Sequence, residues 1–453
     1  MAFKDIRKSR KWLSPQEIRI IAAFLIFLAA LLALNLYLAN TVTGGEWLLM
    51  RWNVVRSFMG LDVDTSVGVK GWRSISEGEA VTQKPSKAVI QRQKPDIYGG
   101  SIAHRIQQLV YGRNAFATEY KYIVSDPFPI LLLYTPLTFL GTFPFARALW
   151  MLIAEAALLV SVLFSYRLSE WDPPLGLNIV LIAFALFGFF SLNALLTASP
   201  AILLNLLYLG ILLALRSNSD ELAGALLFLV AYQWELGGFF FLFIIIFILA
   251  NRRWGVLAGF GMALIIFLII SFLTNPGWGL PYFRAALSNL IQGQYLNLGS
   301  ILSGWFPEIR FSLGTVISVV MVGVVLIESI GAIHAPFRRV VWVASLALAA
   351  MPLAGLAIFP ANNVVLILPL VLVTSLIWER WPRTRLIAVI LLFLAMIAVP
   401  YYLYYQTLVA YEPFYTELLY VIPSVVMVVA LYWMRWWVVH APRVWADRIG
   451  NPR

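Results

Sequence analysis

Long runs of apolar residues, separated by short polar stretches, fill most of the chain between Ile18 and Trp437. About 20 apolar residues in a helix cross the hydrocarbon of a bilayer, and runs near that length recur. The first is Ile18–Asn40. Further spans are expected at Pro127–Leu140, which is short and proline-rich, and at Phe145–Tyr166, Leu175–Leu196 and Ala198–Leu215. Leu222–Ala250 is too long for one simple span and contains Gln233-Trp234-Glu235-Leu236-Gly237-Gly238. A break or partial re-entry is expected there, because polar groups at depth need a protein-lined or wet cavity. Val256–Leu273, Ser312–Gly331, Val340–Phe359, Val364–Trp378, Leu386–Tyr405 and Glu417–Trp437 complete a set of about 12 spans.

Two stretches interrupt this pattern, residues 41–126 and 274–311. In the first, Thr43–Arg56 leaves the first span and reads as a helix with Leu48, Trp52, Val55 and Met59 on one side and Arg56 and Ser57 turned away. Trp and Arg suit a helix lying in the membrane interface, since both have apolar bodies and polar ends. Asp62–Lys94 is polar with little periodicity, as in a flexible surface insertion. Ile102, Ile106, Leu109 and Val110 then share one helical face, with His104, Arg105 and Gln108 elsewhere, which predicts a second interfacial helix. The second stretch carries Trp278, Arg284, Gln292, Gln294, Trp305 and Glu308.

Composition agrees with the pattern. The chain is 61% hydrophobic and 12% charged, with a mean hydropathy of +0.84, whereas soluble domains are about a quarter charged. The expected fold is an all-α polytopic membrane protein, one integral domain over residues 1–453. The net charge of +11 does not indicate a nucleic-acid partner, because the charges sit beside spans and follow the positive-inside rule. With Lys4, Arg7, Lys8, Arg10, Lys11 and Arg19 inside, the cytoplasmic segments hold Arg147, Arg252, Arg253, Arg338, Arg339, Arg380, Arg383, Arg385, Arg435, Arg443, Arg448 and Arg453. The short outer loops hold Arg167, Arg216, Arg284 and Arg310. Both termini are then cytoplasmic, in a cell membrane, and both long loops are outside. The first span is too long for a signal-peptide core and is read as retained. There is no cysteine, so disulfide and thiolate chemistry are excluded. His104, His334 and His440 match no metal spacing, and no cofactor is expected.

Candidate chemistry gathers on the outer side. Glu46 places a carboxylate at the water–lipid boundary, either as an active-site group or as part of an interfacial anchor. Arg51, Arg56, Arg105, Arg113 and Arg284 lie on the same side. Arg binds phosphate through paired contacts, and it also anchors helices at head groups. Glu155 and Glu235 fall within apolar runs, where a carboxylate is either functional or a hydrogen-bonded structural group. Asp126, Gln233 and His104 are further candidates for a cavity. Trp278, Trp305 and Tyr282 can stack on a sugar face or fill an interface belt.

Several blocks resemble a known family. They are Gly44-Gly45-Glu46-Trp47 through Trp52-Asn53-Val54-Val55-Arg56, Tyr111-Gly112-Arg113-Asn114-Ala115, Asp126-Pro127-Phe128-Pro129-Ile130, Tyr134-Thr135-Pro136-Leu137, Ala146-Arg147-Ala148-Leu149-Trp150, and Glu221-Leu222-Ala223-Gly224 through Asn251-Arg252-Arg253-Trp254. In order and with two long outer loops, they resemble the family 87 glycosyltransferases of the GT-C class, as far as about Leu273. The resemblance implies a helical membrane bundle that moves a hexose, mannose above all, from a polyprenyl-phosphate donor to a lipid-linked or envelope glycan acceptor. It implies Glu46 as general base, and the arginines, Arg113 first, as ligands of the donor phosphate. The chain departs from the family at Glu46, where Asp is usual, at Ser125-Asp126-Pro127, at Ala198-Ser199-Pro200 and around Gln233-Trp234-Glu235. Two other classes fit the same outline: a non-catalytic membrane subunit, and a transporter or flippase of a lipid-linked substrate. A transporter is expected to show paired broken helices in its two halves.

Overall fold

The computed structural model describes residues 15–59, Tyr98, His104, Gln107, Arg113, Val124 and 126–439, apart from 293–295, 308–312 and 411. Asp62–Lys94, Arg105 and most of the stretch around Ile102–Val110 lie outside the described residues. His104 and Gln107 are helical. No strand occurs among the described residues.

The chain is an all-helical polytopic membrane protein. Among the described residues, seven helices are long and apolar enough to cross a bilayer: Phe143–Ser169, Leu175–Leu196, Trp254–Thr274, Leu313–Gly331, Pro360–Arg380, Arg385–Ala410 and Phe414–Val438. An eighth span is formed if the bent pair Leu25–Thr41 and Glu46–Phe58 counts as one. Pro360–Arg380 is buried along nearly its whole length at the centre, while Trp254–Thr274 is peripheral. Met262, Ile265, Ile269, Phe272 and Leu273 of the peripheral helix are exposed. Apolar surface this continuous faces hydrocarbon rather than water.

The interruption expected near Gln233 is present. One helix ends at Val230 and the next runs Trp234–Ala250, with Gly237 non-helical at φ −141° and ψ 22°. A Cβ at Gly237 would overlap the Tyr208 hydroxyl, so only glycine fits there.

The Pro127–Leu140 stretch corrects the sequence reading, because it does not cross. Asp126 is ion-paired to Arg51. Eleven residues on, Leu137 O accepts from Trp52 Nε1 at 3.2 Å, and Gly141 O accepts from Arg56 at 3.5 Å. Arg51 and Arg56 are separated by about 7.5 Å at the helical rise of about 1.5 Å per residue. Both ends of the stretch are therefore tied to one helix, and the chain leaves where it entered. Locally it is two turns of helix, Phe128–Leu131 and Thr135–Thr138, each with proline at its start. A 3-10 turn, Leu132–Tyr134, joins them, and the resulting helical stretch, Phe128–Thr138, is well short of the about 20 residues needed to cross a bilayer.

The orientation of the helices between it and the break near Gln233 changes accordingly. The first helix, Pro15–Thr41, and Phe143–Ser169 are antiparallel: Asn35 Nδ2 donates to Glu155 at 3.0 Å, and Arg147 donates to Val42 O at 2.8 Å. Arg147 is at the Glu46 end of the bundle, not the opposite end. Arg167 and Arg216 move the other way. Arg216 bonds Glu170 and the Arg167 carbonyl, and its guanidinium lies 5.9 Å from the Phe337 ring. Arg253 bonds Asp220 and Leu215 O, Arg338 pairs with Glu379, and Arg339 and Arg435 both pair with buried Glu328. One end of the bundle is thus rich in paired arginine. At the Glu46 end, the described parts of the two long loops meet: Phe128 packs on Trp278 and Tyr98 on Tyr282, with ring centres 6.3 and 5.7 Å apart.

Candidate active site at the Glu46 elbow

The first helix stops at Thr41, and the chain turns by 88° into a second helix, Glu46–Phe58. Gly44 and Gly45 make the turn, with φ of +138° and +86°. Side chains are disfavoured there twice over. The φ values are left-handed, and a Cβ would fall 2.8 Å from Arg147 Nη2 at position 44 and 2.9 Å from Arg147 Cδ at position 45. The helix they launch is not the half-exposed interfacial helix its pattern suggests. Every residue from Leu48 to Val55 is buried, including Arg51 and Asn53. The polar face is absorbed because Arg51 and Trp52 find partners in the re-entrant stretch.

Glu46 is the first residue of this helix and is half-buried. Burial pushes its carboxyl above the ordinary 4.5, against the opposing pull of its own backbone N–H and of Arg147. Arg147, only 2% exposed, donates to Val42 O and Leu196 O, each at 2.8 Å, and to Ala39 O at 3.4 Å.

Arg51 holds the Asp126 carboxylate with Nε at 2.9 Å and Nη2 at 3.0 Å, and donates from Nη1 to Trp47 O at 3.0 Å. Its guanidinium also lies 5.6 Å from the Tyr134 ring. These contacts give Arg51 a structural task and occupy Asp126. Arg56 stacks on Trp52 at 4.5 Å and donates to Thr138 O at 3.3 Å. Tyr98 Oη donates to Asp126 O at 3.0 Å, and burial together with Asp126 pushes the Tyr282 hydroxyl up. Tyr134 is hydrogen-bonded to Tyr232. Glu235, at the start of the helix after the break, lies within electrostatic reach of Asp126 and Tyr208. A polar seam therefore runs from the elbow helix through three tyrosines to the break.

Beside the elbow, Trp47, Ser199, Pro200, Ala201, Leu204, Gln233, Leu236, Phe359 and Asn362 line an open cleft. Trp47 N donates to Thr197 O at 3.3 Å, and the Trp47 and Phe359 rings meet edge to face at 5.2 Å. The cleft is narrow, with room for about one water molecule. Asn362 Nδ2, both amide atoms of Asn205 and the Tyr208 hydroxyl are buried without a hydrogen-bond partner among the described residues.

The structure brings Arg51, Asp126 and Glu235 together and sets Gln233 in the cleft beside Trp47, next to Glu46, while Arg56 lies further along the elbow helix against Trp52. His104, Arg113 and Arg284 are exposed, and Arg105 lies outside the described residues. Glu155 is remote from this site and bonds Asn35 between two helices. Sequence reasoning missed Arg147, Tyr232, Asn205 and Asn362. The available signal was Arg147 itself, a cation one turn inside an apolar helix, which the positive-inside rule assigned to topology instead.

No protein-family model, curated protein or solved structure matches this chain.

Proposed function

We propose that the protein is a GT-C-type membrane glycosyltransferase that moves a hexose from a polyprenyl phosphate to a lipid-linked or envelope glycan acceptor. The acceptor hydroxyl attacks the anomeric carbon, its proton passes to the Glu46 carboxylate, and the polyprenyl phosphate leaves with the electrons of the broken C–O bond. A positioned base of this kind contributes roughly 100- to 10,000-fold. Burial makes Glu46 a stronger base than a solvated carboxylate. Arg113 and Arg284, both exposed, are the cations proposed to meet the donor phosphate.

One observation carries this reading. Trp47, from a block that carries the resemblance, and Ser199 and Gln233, from two places where the chain departs from the family, line a single cleft next to Glu46. The arrangement of ends also supports an extracytoplasmic site. Arg167, Arg216, Arg252, Arg253, Arg338, Arg339, Arg380, Arg383, Arg385 and Arg435 gather away from Glu46, as the positive-inside rule asks of a cytoplasmic face. In this reading the break near Gln233 restores the crossing that the re-entrant stretch removes, so the count of about 12 stands with both termini in the cytoplasm. Transfer of label from a radioactive polyprenyl-phosphate hexose by membranes holding the native chain, and its loss with Glu46→Gln, tests the proposal.

A further inference from the structure

The elbow holds a second charged group, Arg147, to which the sequence reading gave a place in topology and no role in the site. We infer that Arg147 is a positioning residue for Glu46: it clamps the turn on which Glu46 sits and places a cation beside that turn to favour the ionised carboxylate. This rests on the reading of Glu46 as the base.

The clamp is visible in the contacts. Ala39 and Val42 carbonyls belong to the end of the first helix, and the Leu196 carbonyl to the end of Phe189–Leu196. Carbonyls at a helix C-terminus have no partner within the helix and carry partial negative charge. One guanidinium ties two such ends together, and the glycines at 44 and 45 leave space for it.

The charge relationship follows from what else is near. From Pro127 to Ala146 and from Phe189 to Leu207 the one ionisable side chain is Tyr134. On the elbow helix itself, Arg51 is neutralised by Asp126, and Arg56 lies on Trp52 almost three turns from Glu46. Arg147 runs against the turn beside Glu46, with its Nε 3.0 Å from where a Cβ on Gly45 would stand, and its hydrogen bonds go to carbonyl oxygens. Capping alone would need hydrogen-bond donors. Stabilising an ionised Glu46 needs the charge.

The two tasks separate in one experiment. The full chain in lipid nanodiscs is treated with an apolar carbodiimide, which labels protonated carboxyls, and labelling at Glu46 is followed by peptide mass spectrometry against pH. Glu46→Gln identifies the site-specific signal. Arg147→Gln keeps an amide donor for the carbonyls and loses the charge. Its labelling midpoint is expected to rise, since removing an opposite charge near a carboxyl disfavours its ionised form. Arg147→Lys, which keeps the charge, is expected to stay near the native midpoint. An unchanged midpoint in folded Arg147→Gln overturns the inference. Should Arg147→Gln not fold, Arg147→Asn, also a neutral amide, is read in its place with the same two outcomes. The assay needs no sugar transfer. A shifted midpoint in a chain that transfers no sugar rejects the transferase reading alone, and transfer without the shift rejects the role of Arg147 alone.

Discussion

Arg51 and Asp126 are 75 residues apart in sequence and form a buried, two-pronged ion pair, with nitrogen–oxygen distances of 2.9 and 3.0 Å. The pair fastens the re-entrant stretch to the elbow helix. Removing one partner of a buried pair leaves an uncompensated charge and costs about 3–5 kcal/mol. Arg51→Met and Asp126→Asn are each expected to lower the thermal unfolding midpoint of the detergent-solubilised protein. Arg51→Met combined with Asp126→Leu is expected to recover a large part of the loss. Equal stability of the single variants and the native chain would contradict this role.

The re-entrant stretch is tested by topology. The chain has no cysteine, so single cysteines report one position each. Cysteines at Thr142 and Ser303, both exposed, are expected to react with an impermeant thiol reagent in intact cells, and one at exposed Ser217 only after lysis. If Pro127–Leu140 crossed the membrane, Thr142 would be protected and Ser217 labelled.

This difference shows what the sequence makes legible. Spans such as Phe143–Ser169 and Trp254–Thr274 follow from length and apolarity, because hydrocarbon imposes those requirements on each helix separately. The break after Val230 is readable for the same reason, since Gln233, Glu235 and two glycines have no place in a plain span. The fate of Pro127–Leu140 depends on where its two ends bind, and those partners, Arg51 and Arg56, are about 75 to 85 residues away. The burial of the elbow helix is hidden in the same way, because Leu48–Val55 reads as amphipathic until the re-entrant stretch covers its polar face. Glu46 stands out by its position after a span. Arg147 does not, because an arginine near a helix start looks the same whichever membrane face it meets.

Gly45 is required for the elbow. Gly45→Ala puts a side chain at φ +86° and against Arg147 Cδ. The left-handed backbone alone costs about 1–2 kcal/mol. Gly45→Ala is expected to lower the unfolding midpoint and to reduce sugar transfer by more than it lowers expression. A substitution at Gly261, where a Cβ meets no atom within 4 Å, is the control and is expected to leave transfer unchanged.

The pH dependence has a definite sign. Glu46 acts as a base only when ionised, and burial raises its pKa above 4.5. Transfer is therefore expected to fall as pH is lowered through a midpoint above the ordinary carboxylate range, and to be complete well above it. A rate that stays level down to the ordinary carboxylate pKa would assign the base elsewhere, with Glu235 the next carboxylate to test because Asp126 is held by Arg51.

The most direct measurement is sugar transfer itself. Membranes containing the native chain and the Glu46→Gln variant, at matched expression, are supplied with a radiolabelled polyprenyl-phosphate hexose, and labelled acceptor is quantified. Gln keeps the size of Glu and removes its charge, so folding is retained and the base is lost. The expected result is transfer by the native chain and a fall of roughly 100-fold or more in the variant, because removing a base acts on the transition state. Undiminished transfer by Glu46→Gln would remove Glu46 from the mechanism, and no transfer by the native chain from any such donor would contradict the transferase account in favour of a non-catalytic subunit.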